Sequence, residues 1–176
     1  MANVELDYPN TQNIEKKLKE DIKKYTPIDP VTKFIFGTVS IGGKQAIKII
    51  NDFLSENKNA SNMIINGTYN YWTSPLSYAI FLREEEVALY LIDLGFDVNY
   101  IDSIGNSPLN YAVANFEYEK FSKTEKRQNK ELFEVVKKLL YKKANVFHKN
   151  TSNDVYPVYE ALLNSYINSY ELIKKK

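Results

Sequence analysis

The sequence contains no cysteine and a single histidine, His148, among its 176 residues. A disulfide framework, a thiolate zinc site and a cysteine–histidine catalytic pair are therefore excluded, and a histidine-based metal cluster cannot be assembled. The six glycines show neither P-loop nor dinucleotide-binding spacing. A hydrolytic triad would have to use His148, which lies in a predicted turn where an exposed polar histidine is the usual outcome. We therefore expect no metal and no other cofactor.

An excess of basic residues is also missing, because 23 basic and 22 acidic side chains leave a formal net charge of +1. Proteins that bind the phosphate backbone normally carry a clear positive excess, so nucleic acid is not an expected partner. No apolar run approaches the roughly 20 residues of a membrane-spanning helix. The first residues lack the apolar core of a secretion signal. We expect a cytoplasmic protein without a membrane partner, with delivery into a host cell as an open alternative.

What the sequence does contain is a repeat. The segment SPLSYA at 74–79 returns 33 residues later as SPLNYA at 107–112, and more weakly as YPVYEA at 156–161. The first two copies are followed by apolar residues at helical spacing, at 84–99 and 130–147. Such self-similarity is typical of repeat architectures.

Each copy predicts a helix, a turn and a second helix. Serine is a good helix N-cap and proline fits the first helical position, so helices are predicted to begin at Pro75 and Pro108. The second helix of the first copy should end at Gly95 in a left-handed cap. Residues 97–106 carry Asp, Asn and Gly at turn-forming places, which predicts a projecting turn or hairpin.

Residues 69–113 resemble the ankyrin repeat, whose pattern is a turn with Asp and Gly, then T-P-L-H-x-A, then a second helix ending in a Leu pair and G-A-D-V-N. The clearest match is FDVNYIDSIGNSPLNYAV at 96–113. Serine replaces the motif threonine, Ser77 and Asn110 replace its histidine, and Phe96 replaces its small residue. The resemblance implies an all-α, ankyrin-type helix-turn-helix solenoid with projecting turns or hairpins.

We expect a single ankyrin-repeat-like domain over 1–176. Its predicted parts are an N-terminal capping helix at 1–28 and four repeats, at 29–68, 69–101, 102–150 and 151–176. The third repeat is longer than the others, and its alternating Glu and Lys without Gly or Pro predict that both helices continue into a helical extension at 114–129. The extension is either a solvated spur or an added contact surface.

The resemblance also implies a site, because the family binds other proteins through a concave face built from turn tips and first helices. Matched position by position, the predicted protein-binding residues are Asn70, Tyr71, Thr73, Phe81, Leu82, Ile101, Ser103, Ile104, Asn106, Ala114 and Asn115. Five of them, Tyr71, Phe81, Leu82, Ile101 and Ile104, are large and apolar although the resemblance places them in solvent. Exposed clusters of this kind mark interaction sites, unless other segments of the chain cover them.

The sequence thus predicts a monomeric, non-enzymatic adaptor or inhibitor that binds another protein. Two alternatives stay open. One is a small enzyme that uses carboxylates such as Asp102 or Glu86 on the same scaffold. The other is a structural protein that assembles with itself. The 21 lysines against 2 arginines indicate an AT-rich source genome and bear little on activity.

Overall fold

The computed structural model describes residues 30–57, 73–114, 132–151, 154–163 and 166–176. Within these ranges the protein is all-helical, with eight helices and no strand, which confirms the predicted all-α class. None of the described helices is both long enough and apolar enough to cross a membrane. In chain order the helices are α1 (Pro30–Ile41), α2 (Gly43–Glu56), α3 (Pro75–Phe81), α4 (Glu85–Asp93), α5 (Pro108–Val113), α6 (Phe133–Tyr141), α7 (Pro157–Leu163) and α8 (Ile167–Lys174).

The two Ser-Pro segments start helices α3 and α5 as predicted. The Ser74 hydroxyl accepts a hydrogen bond from the backbone N–H of Ser77 at 3.1 Å. The Ser107 hydroxyl accepts one from the N–H of Asn110 at 3.2 Å, and the Asn110 side chain accepts from the N–H of Ser107 at 3.0 Å. This reciprocal arrangement is a capping box, which satisfies two backbone donors at the start of α5.

The eight helices pack as four consecutive pairs: α1 with α2, α3 with α4, α5 with α6, and α7 with α8. The first helices of successive pairs contact one another in chain order, and so do the second helices. Buried apolar side chains from all eight helices form one connected cluster. Each pair therefore buries its apolar side chains largely against its immediate neighbours.

The loop between α3 and α4 reaches the pair before it through Glu84. Helix α2 has no side-chain cap of its own, and a Glu84 carboxylate oxygen accepts a hydrogen bond from the N–H of Gly43 at 3.2 Å. Gly42 adopts a left-handed φ of 76°, and a Cβ atom there would overlap the Glu84 carboxylate. The left-handed φ favours glycine, and a larger residue here would push the Glu84 carboxylate away from Gly43.

The same loop reaches the following pairs through Arg83. Its guanidinium donates hydrogen bonds to the carbonyl oxygens of Ala112, at 3.4 Å, and Ala114, at the end of α5. It also interacts with the side chain of Tyr166 at the start of α8. Burial lowers the pKa of Arg83, and the interaction with Tyr166 partly opposes that shift. A half-buried cation is thus held by the last carbonyls of a helix, where positive charge is favourable.

Arg83 contacts the end of α5, where the predicted helical extension at 114–129 would begin; that extension stays a prediction. Helix α5 ends at Val113, and Ala114 is extended, with φ −74° and ψ 143°. Because Arg83 donates hydrogen bonds to carbonyl oxygens at this end of α5, those oxygens do not need donors from a further helical turn. Helix α6 begins at Phe133, after the 114–129 segment, of which 115–129 lies outside the described residues. The predicted capping helix at 1–28 also lies outside them.

Replacing Arg83 with methionine should keep the length of the side chain and remove its donors. We expect Arg83→Met to lower the free energy of unfolding by about 1–3 kcal/mol, because buried acceptors lose their partner. Urea unfolding followed by circular dichroism measures the effect. Lys137→Met is the matched control, since the Lys137–Glu134 ion pair is exposed and should contribute little. Equal stability of the two variants would show that the Arg83 contacts do not hold the pairs together.

Candidate protein-binding surface

The turn at 97–106 is organised around the carboxylate of Asp102. One carboxylate oxygen accepts hydrogen bonds from the backbone N–H of Ile104 at 3.0 Å and of Asn106 at 2.9 Å. The other accepts from the hydroxyl of Tyr111 in α5. The backbone of Asp102 closes the turn by donating to the carbonyl of Asn106 at 3.1 Å. One side chain therefore fixes the shape of the turn and ties it to the next helix.

Burial controls the electrostatics of this pair. It raises the pKa of Asp102 from its ordinary value, and the hydrogen bonds from Tyr111, Asn106 and Ile104 oppose that rise. Burial also raises the pKa of Tyr111, and the neighbouring Asp102 charge raises it further. The tyrosine thus stays protonated and available as a donor.

The 97–106 turn is joined to the turn that follows α6 through Asn99. Its side-chain oxygen accepts a hydrogen bond from the N–H of Asn145 at 2.7 Å. Its side-chain nitrogen donates to the carbonyl of Lys143 at 3.3 Å. An amide side chain can do both at once, which makes asparagine well suited to link two turns.

Two further hydrogen bonds join the same turns at their other end. The imidazole Nε2 of His148 contacts the carbonyl of Gly105 at 2.9 Å, and the hydroxyl of Thr151 donates to the carbonyl of Ile104 at 2.6 Å. Gly105 has a φ of 81°, and a Cβ atom there would overlap Thr151. His148 is half-buried between the turns, so the expectation that it is simply exposed is wrong.

The structure separates the predicted binding residues into buried and exposed ones. Contrary to expectation, four are buried: Thr73, Ile104, Asn106 and Ala114. The N–H groups of Ile104 and Asn106 donate to the Asp102 carboxylate, and the Ile104 carbonyl accepts from the Thr151 hydroxyl of the neighbouring turn. The carbonyl of Ala114 is held by Arg83.

The other predicted residues differ in how far they reach solvent. Ile101 is 44% exposed and Ser103 is exposed, as expected from the resemblance. Phe81 and Leu82 are half-buried, and the Phe81 ring packs edge-on against Tyr111 with centroids 6.0 Å apart. Asn70, Tyr71 and Asn115 lie outside the described residues. Whether any of these residues binds a partner stays a prediction.

Phe147 is a candidate that the sequence reasoning missed. It lies in the turn after α6, its N–H donates to the side chain of Asn145 at 2.9 Å, and its own side chain is 74% exposed. Aligning the two repeats places Phe147 opposite Asn99, so a large apolar residue stands where a polar turn residue is found in the other copy. That contrast is the sequence signal that could have identified it.

Together these residues define what we call the turn surface: the exposed side chains of Ile101, Ser103 and Phe147 on the two joined turns. Both turns are held by side-chain hydrogen bonds at two places, so their exposed side chains sit on a fixed base. Such a base lowers the entropy lost when a partner is bound. Ile101 and Phe147 supply exposed apolar area of the kind found at interfaces.

The carboxylates of the enzyme alternative lie in different environments. Both oxygens of Asp102 are engaged within the fold. Glu86 is exposed in the first turn of α4, where a negative charge favours the helix dipole. Across the described part of the chain, no three acidic, histidine or cysteine side chains are grouped to hold a metal ion.

No protein-family model matches the chain, and no curated protein is significantly similar to it.

The Asp102–Tyr111 hydrogen bond should make the effect of Tyr111→Phe depend on pH. Because the folded pKa of Asp102 is raised, its contribution to stability is complete below its ordinary value of 3.8 and is lost as pH rises through the folded value. Removing the Tyr111 hydroxyl raises the pKa of Asp102 in the folded protein further and leaves its ionised carboxylate with one hydrogen bond fewer. We expect a loss of about 1–3 kcal/mol at pH 7 and a smaller loss at pH 4.

Urea unfolding of both proteins at the two pH values measures this difference. Tyr78→Phe is the control. It removes the hydrogen bond between the hydroxyls of Tyr78 and Ser40, which involves no carboxylate. A Tyr111→Phe effect that is equal at pH 4 and pH 7 would contradict the assigned interaction.

Proposed function

We propose that the chain is an ankyrin-type repeat module that binds a partner protein through its turn surface. The 33-residue offset of the Ser-Pro segments and their identical role as helix starts support the repeat assignment. The packing of four successive helix pairs, each against the next, agrees with a linear stack. The turns between pairs join one another directly, as projecting elements of such a stack would.

Ile101 and Phe147 are exposed on two turns that are joined by hydrogen bonds, and this exposure is the main support for the binding proposal. A large apolar side chain exposed on a polar turn lowers solubility and contributes nothing to the core. Contact with a partner protein would remove it from water. Aromatic and aliphatic anchors on a rigid base are the usual centres of binding energy. Ser103 adds a polar group beside them.

The character of the partner follows from the overall charge. With a formal net charge of +1, long-range attraction contributes little, and recognition depends on local shape and on the two apolar anchors. We propose a non-enzymatic, cofactor-free role for a monomer in the cytoplasm. Adaptor and inhibitor functions are equally compatible with this surface.

Site-specific photo-crosslinking tests the proposal and identifies the partner in the same experiment. A benzophenone amino acid is placed at Ile101, at Phe147 or at Ile41, and the protein is irradiated in lysate of its source. Ile41 is the matched control, because it is an exposed aliphatic residue at the end of α1, in the first helix pair, which does not carry the turn surface. We expect one protein to crosslink at both turn positions and not at the control position.

The captured protein then allows a direct affinity measurement with the purified chain. Ile101→Glu/Phe147→Glu should weaken binding by about tenfold or more, as loss of interface anchors does, while Ile41→Glu leaves the affinity unchanged. Circular dichroism and thermal unfolding verify that each variant stays folded. Undiminished binding by the double variant, or equal crosslinking from Ile41, would refute the turn surface as the binding site.

A further inference from the structure

Helices α3, α4 and α6 all end in the same backbone motif. The residue after the C-cap residue donates its N–H to the carbonyl three residues back, and the next N–H bonds to the carbonyl five residues back. The first of these two residues has a positive φ in every case: 60° at Arg83, 92° at Gly95 and 66° at Lys143. Glycine is preferred in this left-handed position, because a side chain there crowds its own backbone.

The two residues of this motif that are not glycine differ in what their side chains do. The Arg83 guanidinium bonds to carbonyl oxygens at the end of α5 and interacts with Tyr166, so its contacts compensate for the unfavourable backbone conformation. Lys143 is exposed, and its ammonium group forms no hydrogen bond or ion pair with the described part of the chain. The fold therefore gives no reason for a lysine where the equivalent turn has Gly95.

Backbone contacts place Lys143 within the two joined turns. Its carbonyl accepts a hydrogen bond from the Asn99 side chain at 3.3 Å, and the same side chain accepts from the N–H of Asn145 at 2.7 Å. Ile101 lies two residues after Asn99. Phe147 lies two residues after Asn145 and donates its N–H to the Asn145 side chain at 2.9 Å. Each apolar anchor is thus within about 7 Å of chain from this bridge, and the flexible lysine stem can bring its charge to the edge of the turn surface.

The charge of Lys143 is not neutralised by the acidic side chains that precede Asn99. Asp93, at the end of α4, pairs with Lys138 of α6. Asp97 accepts the N–H of Asn99 at 2.8 Å, within its own turn. Both carboxylates are exposed, and neither forms an ion pair with Lys143. A free cation therefore accompanies the two apolar anchors.

We propose that Lys143 makes the turn surface selective for an acidic segment of the partner protein. Its ammonium group pairs with an aspartate or glutamate carboxylate, while apolar side chains of the same segment pack on Ile101 and Phe147. This inference rests on the proposed binding function of the turn surface. An ion pair beside apolar anchors is partly shielded from water, so it discriminates between acidic and basic segments. The lysine in a left-handed conformation then serves binding and not folding.

Thermal unfolding tests whether Lys143 serves the fold. Lys143→Gly removes the crowding of the backbone, so the unfolding midpoint should rise by about 2 °C. Lys142→Gly is the matched control, because Lys142 is also exposed and has an ordinary φ of −82°. Glycine relieves no strain at that position and should lower the midpoint. A lower midpoint for Lys143→Gly would show that the lysine stabilises the fold, and it would remove the argument for a binding role.

Peptides displayed on phage test the chemistry of the partner on the full chain. A random peptide library is selected against the wild-type protein, and we expect enriched peptides to carry Asp or Glu close to a large apolar residue. Fluorescence anisotropy of the synthesised peptides then measures affinity. Lys143→Gln should weaken binding about threefold to tenfold, and Lys143→Arg, which keeps the charge, should recover most of it. Lys142→Gln is the control for charge alone and should bind as the wild type does.

The double variant Ile101→Glu/Phe147→Glu separates this inference from the proposed function. If it abolishes peptide binding while Lys143→Gln binds as the wild type does, the turn surface stands and the role of Lys143 is refuted. If the double variant binds undiminished, or no peptide is enriched, both proposals fail. Enrichment of peptides that match a segment of this chain would identify a second copy as the occupant, and would overturn the assignment to a different protein.

Discussion

The hydrogen bonds of the Asp102 carboxylate are the interaction on which the rest of the turn region depends. A turn between two helix pairs must satisfy its own backbone groups, since no ladder of a sheet or helix does so. Asp102 accepts two turn N–H groups and the Tyr111 hydroxyl, and this places Ile104 and Gly105 where His148 and Thr151 can hold them. These hydrogen bonds offset the free-energy cost of burying the Asp102 carboxylate, and they also fix the shape of the turn.

Local signals in the sequence were sufficient for the positions of the helix starts. The serine hydroxyl and the following proline act within one helical turn, so the start of α3 at Pro75 and of α5 at Pro108 could be predicted without knowing their surroundings. The left-handed end of α4 at Gly95, with φ 92°, follows from the same kind of short-range rule.

Contacts between distant residues limited what could be predicted of the site. The Ile104 carbonyl accepts from Thr151, which lies 47 residues later, and the carbonyl of Ala114 after α5 accepts from Arg83, which lies about 30 residues earlier. Neither contact leaves a periodic or compositional trace. The exposure of Ile101 could be predicted from its position in the repeat, whereas the exposure of Phe147 was missed because the ankyrin-like pattern was not compared with the turn after α6.

The reach of Arg83 has a consequence for how the protein unfolds. A stack in which each unit touches only its neighbours can lose terminal units one at a time, so that its ends fray. Arg83 belongs to the second helix pair, yet it contacts the end of α5 in the third and Tyr166 in the fourth, while the adjacent Glu84 caps α2 in the first. Loss of the first or the fourth pair therefore leaves Glu84 or Arg83 without one of its partners, which favours cooperative unfolding of the four pairs.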